Sequence, residues 1–208
     1  MTDASPWPAS GPATGQRPAH PLAIKVGVLV TAAFVVLDQA TKELAETLLA
    51  PGEFVPWLGS GVGWQLIYNP GGAFGLPAPA WLFLVVTVVV LVLVARALPQ
   101  ATSLTSAVAF AMLLAGALGN ALDRVLRPGD PDAVFGGGYV VDFVAWGGFP
   151  RFNVADSAIT VGFVLLVIAL WVEERRDGEG AVAASGETST SDDAPGGEHD
   201  RRGRHGSG

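Results

Sequence analysis

Cysteine is absent from this chain, which excludes a disulfide frame, a thiolate nucleophile and any cysteine-ligated zinc or iron–sulfur site. Histidine is nearly absent. His20 sits in a Pro-rich leader, and His199 and His205 sit in a polar tail. Their placement argues against a Ser–His triad, a His-ligated metal and a histidine general base. Charged residues are only 15% of the 208, so carboxylate, lysine, hydroxyl and amide groups remain for any catalysis. Apolar residues are plentiful, at 50%. The mean hydropathy is +0.43 although both ends are polar, so the middle is more apolar than the mean, as in a membrane protein. The net charge of −7 says little about partners. Glu187, Asp192, Asp193, Glu198 and Asp200 all lie in the tail.

Residues 1–20 are rich in Pro, Ala, Ser and Gly without an apolar period and are expected to be disordered. Residues 177–208 have the same character and read as a flexible tail. Between them, residues 21–176 hold four apolar stretches, at 21–37, 80–98, 104–122 and 154–172. Each is long enough, at about 1.5 Å per residue, to span roughly 25–29 Å, close to a bilayer's hydrocarbon core. The expected fold class is therefore mainly α, a polytopic membrane protein with four transmembrane helices. The leader is not basic at its start and no small-residue cleavage site follows the first stretch, so that stretch reads as a retained helix. Positive charges are nearly balanced between the two sides. Lys42 and Arg124 lie within a helical turn of Asp38, Asn120 and Asp123, and discounting them as paired groups favours both termini in the cytoplasm.

Alternation through four spans puts the end of the first, the start of the second, the end of the third and the start of the fourth on one membrane face. The unusual polar residues fall at those four points: Asp38, Gln39 and Lys42; Asn69 with NPGGAFG; Asn120, Asp123 and Arg124; Asp142, Asn153 and Asp156. Asp38 and Lys42, spaced i, i+4, suit a helix-end ion pair as well as direct participation. Asn120, Asp123 and Arg124 share a helical face and suit a scaffold as well as a substrate contact. NPGGAFG suits a turn as well as a backbone that approaches a ligand closely.

Asp142 and Asp156 differ in kind. Asp142 is flanked by Val and Phe in the strand-like YVVDFV, and Asp156 heads an apolar span on the same helical face as Asn153. A carboxylate at the membrane boundary is costly unless paired or used, and Arg151 is the one obvious local cation. If the two acids meet, repulsion and desolvation leave the pair holding a single proton, the arrangement of an aspartic protease. Structural carboxylates and an ion pathway remain open on spacing alone.

The ordered set DQATK at 38–42, NPGGAFG at 69–75, GNALDR at 119–124, VVDF at 140–143 and FNVADSAI at 152–159 resembles the bacterial lipoprotein signal peptidases (signal peptidase II) over roughly residues 22–175. The resemblance implies a membrane aspartic endopeptidase that removes the signal peptide of prolipoproteins, cutting before a diacylglyceryl-modified cysteine. It implies Asp142 and Asp156 as the catalytic pair, Asn69, Asn120, Arg124 and Asn153 as substrate-binding residues, and Asp38, Lys42 and Asp123 as supporting residues. It further implies a small extracytoplasmic β-sheet, matched here from EFVPW to GVGWQLIY. The enzyme is expected in the bacterial cytoplasmic membrane with its site toward the extracytoplasmic face. Its expected partners are lipid-modified precursors and membrane lipids, with no nucleic acid, no metal and no organic cofactor, and it is expected to act as a monomer. Gly72 departs from the family's more usual alanine, and residues 126–139 form a longer, Gly-rich stretch suited to a flap over the site.

Three other readings compete. A small transporter or channel would use the intramembrane carboxylates as an ion pathway, but its polar groups belong near mid-membrane or on both faces. A Ser–Lys peptidase would pair Ser157 with Lys42, although Asp38 one turn away favours the charged lysine and makes it a poor base. A membrane scaffold explains the spans but not the one-sided polar ensemble.

Overall fold

The computed structural model describes residues 19–70, 80–129 and 137–190. Gly71–Gly75 of the NPGGAFG motif and residues 130–136 of the expected flap lie outside the described residues. The chain forms two compact units, Met1–Ala169 and Leu170–Gly208.

Four helices carry the apolar stretches: α1 (Ala23–Leu48), α2 (Ala80–Ala97), α3 (Leu104–Leu126) and α4 (Val154–Thr190). Three of them, α1, α3 and the Val154–Gly180 part of α4, are long and apolar enough to cross a membrane. α3 is the inner one, with 50% of its apolar window buried against 17% and 22% for α1 and α4. Its sequence explains this. Ala107, Ala109, Ala111, Ala115, Gly116, Ala117 and Gly119 are small and buried, and let neighbouring backbones come close. A Cβ on Gly116 would run into the Ala155 carbonyl oxygen, and one on Gly119 would lie 2.6 Å from the Asp38 carboxylate. α1 and α4 leave large apolar side chains exposed, among them Val28, Leu29, Phe163 and Ile168, as lipid-facing helices do.

α3 begins at a capping box. Ser103 accepts from the Ser106 N–H, and the Ser106 hydroxyl accepts from the Ser103 N–H. At that end Ala23, Leu98, Ala101 and Ala107 form a small apolar cluster, and the His20 N–H donates to the Ala101 carbonyl at 2.7 Å.

The other end carries a three-stranded antiparallel sheet of order β1-β2-β3, with β1 (Val55–Leu58), β2 (Val62–Asn69) and β3 (Val140–Trp146). Ala45, Leu66, Val141 and Phe143 pack beneath it. Ile67 pairs with Asp142 and Asn69 with Val140. In an antiparallel pair this register puts Asn69 and Asp142 on one face as diagonal neighbours.

Two boundaries differ from the sequence expectation. The helical continuation expected at Asp38 and Lys42 is present, and α1 runs beyond it to Leu48, eleven residues past the apolar stretch. α4 runs to Thr190, so residues 177–190, expected as flexible tail, are helical here. Strong apolar periodicity ends near Val172, and composition alone could not show that the Ala- and Glu-containing run beyond it extends the helix.

Candidate active site

α4 starts on Asn153. The Asn153 side-chain oxygen accepts from the Asp156 N–H at 2.9 Å, and the Asp156 carboxylate accepts from the Asn153 N–H at 3.2 Å. This reciprocal pair is a capping box made with Asn and Asp. A second cap comes from another helix. Asp38 of α1 accepts the next free N–H of the α4 first turn, that of Ala155, at 2.8 Å. The N–H groups of Asn153, Ala155 and Asp156 are thereby satisfied, and Asp156 sits where the helix dipole is positive.

Asn153 also joins the two acids. Its side-chain amide donates to Asp142 Oδ1 at 2.7 Å, with further contacts to the Asn120 and Val141 oxygens at 3.2 and 3.3 Å. Asn69 donates to the other Asp142 oxygen at 3.0 Å, and Asn120 donates to Asp156 Oδ1 at 2.8 Å. Three asparagine amides thus hold two carboxylates. Asn153 is fully buried and Asp142 is 3% exposed, while Asp156 is half-buried. Burial, then the nearby Asp156 charge, pushes the Asp142 carboxyl up to about 7, against the hydrogen bonds from Asn69 and Asn153. Arg124 is 8% exposed and interacts electrostatically with Asp142, Asp123 and Asp156.

Beneath the two acids lies a buried ion network. Lys42 contacts Asp38 and Asp123, each at 2.8 Å, and donates to the Asn120 side-chain oxygen at 3.1 Å. Lys42, Asp38 and Asp123 are each at most 1% exposed, so each charge needs its partners. Asp123 also accepts from the Val141 N–H at 3.1 Å, which ties β3 to α3 one residue before Asp142.

The structure therefore brings together Asp38, Lys42, Asn69, Asn120, Asp123, Arg124, Asp142, Asn153 and Asp156. Arg151 is not on the acids. It donates to Gln65 and to the Phe149 carbonyl. Nor does Lys42 serve Ser157, whose hydroxyl donates to the Asn153 carbonyl, and the Ser–Lys reading falls.

Several contributors were not assigned a role from the sequence. Gln39 donates to Asp38, Asp123 and the Gly119 carbonyl. Arg127 donates to Asp123 at 3.0 Å, to Glu43 at 2.8 Å and to Glu46. The Asp123–Arg127 spacing of one turn was visible, but its partners on α1 depend on tertiary packing. Glu46 also hydrogen-bonds Tyr68, whose phenol is raised above its ordinary value by burial first and Glu46 second.

Apolar helices with two amide-held carboxylates gathered at one end, Asp142 on β3 and Asp156 at the start of α4, suit a membrane aspartic hydrolase. The family model for signal peptidase (SPase) II matches residues 30–172. The chain is 36% identical over 162 residues to a lipoprotein signal peptidase of Mycobacterium avium (strain 104), covering 77% of this chain and 86% of that one. It is 38% identical over 170 residues to the lipoprotein signal peptidase of Rhodococcus jostii (strain RHA1), covering 79% and 83%. A bacterial membrane enzyme solved by the in meso method at 2.3 Å resolution superposes with a TM-score of 0.63 at 30% identity, covering 73% of this chain and 90% of that one. The chain belongs to the signal peptidase II family, the aspartic-type membrane proteases that remove lipoprotein signal peptides.

Proposed function

We propose that Asp142 and Asp156 are the catalytic dyad of this peptidase and cut its precursors just before a diacylglyceryl-modified cysteine. The observation that carries the reading is Asn153, which is bonded to both acids at once. With the Asp142 carboxyl at about 7, the pair holds one proton near neutral pH. Asp142 carries that proton and polarises the scissile carbonyl. Asp156 takes a proton from water as the water oxygen bonds to the carbonyl carbon. The tetrahedral species then collapses, the C–N bond breaks and the cysteine nitrogen leaves with the proton from Asp156.

Asn69, Asn120, Asn153 and Arg124 orient the acids and meet the peptide backbone beside them. Asp38, Lys42 and Asp123 fix the ends of α1, α3 and α4 from below. α2, 18 residues long, completes four spans. Both termini lie in the cytoplasm, and the sheet and the acids face outward at the cytoplasmic membrane's far surface. The substrate's acyl chains lie against the exposed apolar faces of the helices, and a monomer suffices. No cofactor enters this chemistry. An ion pathway is disfavoured because the polar contacts gather at one end of the helices, at 38–46, 119–127 and 153–156.

The test is cleavage of a diacylglyceryl-modified precursor by Asp142→Asn and Asp156→Asn enzymes beside the parent. Both variants are expected to be inserted and inactive. Full turnover by either removes that residue from the dyad.

A further inference from the structure

Arg127 lies just beyond α3 and outside the five motifs. Its guanidinium is spread over three acids: Asp123 on its own helix, and Glu43 and Glu46 on α1. The partners are not equal. Glu43 is 70% exposed, and an ion pair there contributes little. Glu46 is 24% exposed and Asp123 fully buried, so those two bonds carry the contact. Glu46 in turn bonds Tyr68, the β2 residue that pairs with Val141 and precedes Asn69. Asp123 holds the Val141 N–H, and Asp142 follows Val141.

Two chains of contact thus leave Arg127 and reach the same carboxyl. One runs through Asp123 and the Val141 backbone, and the other through Glu46, Tyr68 and Asn69, which donates to Asp142. The return of the backbone toward β3 passes close by. The Gly138 N–H donates to the Arg124 carbonyl at 3.1 Å, and a Cβ on Gly138 would lie 2.6 to 2.9 Å from the Asp123, Arg127 and Arg124 carbonyl oxygens. The segment entering β3 is therefore seated directly on the end of α3 that Arg127 fastens to α1.

We propose that Arg127 is a positioning residue for the peptidase reaction: its clasp on Glu46 and Asp123 sets where β3 presents Asp142 to Asp156. The proposal rests on the dyad reading above. The acids that Arg127 holds are Asp123, Glu43 and Glu46, not Asp142 or Asp156. A structural role alone would change how much enzyme folds, whereas a positioning role changes the rate of each folded molecule, since small misplacement of a reacting group is costly.

The test measures kcat and KM for cleavage of a lipid-modified precursor, per folded molecule, for the parent, Arg127→Ala, Arg127→Lys, Glu46→Gln and Asp142→Asn. Monodispersity in detergent supplies the folded fraction. Arg127→Ala is expected to lose about tenfold in kcat with KM within about twofold. Glu46→Gln, which keeps the shape and weakens the clasp, should lose less, and Arg127→Lys should recover part of the rate. An unchanged kcat per folded molecule in Arg127→Ala, with Asp142→Asn inactive, overturns the clasp and leaves the dyad standing. Activity in Asp142→Asn overturns the dyad and the clasp with it.

Discussion

Replacing Asn153 with alanine removes a helix cap and a donor to Asp142 in one change, and the structure sets the size of the effect. The side chain is fully buried. Its oxygen caps α4 by accepting the Asp156 N–H, and its amide donates to Asp142 at 2.7 Å. Loss of an Asn cap costs about 0.5–2 kcal/mol. Leaving a buried acceptor without its donor costs about 1–3 kcal/mol more. Asn153→Ala should therefore destabilise the fold by about 1.5–5 kcal/mol, read as a lowered melting temperature in detergent. The change should also move a proton. The Asn153 bond favours the charged form of Asp142, so its removal raises that carboxyl further above its present value of about 7. The alkaline limb of the cleavage rate against pH should shift to higher pH, with a reduced maximum. Asn153→Asp keeps a good capping oxygen but sets a third carboxyl against Asp142 where the amide donated, so it should lower the rate as well. An alkaline limb that stays in place or moves to lower pH, together with an unchanged melting temperature, would show that Asn153 neither caps α4 nor holds Asp142.

Lys42→Met leaves Asp38 and Asp123 buried without their shared cation, so a loss of about 3–5 kcal/mol is expected in thermal denaturation; an unaffected melting temperature would count against the network. Gly116→Ala drives a methyl group toward the Ala155 carbonyl and should cost about 1–3 kcal/mol as well as activity, because it pushes α4 and Asp156 away from α3. The Asp142 pKa, raised from 3.8 to about 7, makes the stability linked to that group fully present below 3.8 and lost as pH rises through about 7. The parent's melting temperature should fall across that window, and the fall should be shallower in Asp142→Asn.

The helices were legible in the sequence because lipid-facing and buried positions are both apolar, and Ala80–Ala97 is apolar along nearly its whole length. The first two strands were expected from the family resemblance, on a segment with strand-like alternation; YVVDFV read as strand-like, but its joining the same sheet as a third strand depends on a pairing across the chain. The acids themselves stood out as carboxylates at span boundaries, where an unused charge is expensive. Less visible was how the asparagines divide their work. Nothing in FNVADSAI says that one Asn153 oxygen caps α4 while its amide reaches β3. Asp38 capping Ala155 is a contact across 117 residues, and the Arg127–Glu46 bond spans 81. Such contacts follow from helix packing, which the small residues of α3 permit but do not announce. The continuation of α4 to Thr190 was hidden because a polar run with glycines carries no apolar period.

In the proposed mechanism Asp142 and Asp156 share one proton in the resting enzyme. Infrared difference spectroscopy on protein labelled with ¹³C at its aspartate carboxyls reads this directly across a titration from about pH 5 to about pH 9. One protonated aspartate band is expected near neutrality, disappearing with a midpoint of about 7 and missing from Asp142→Asn. A band absent throughout, or one that titrates unchanged in Asp142→Asn, would contradict the shared proton.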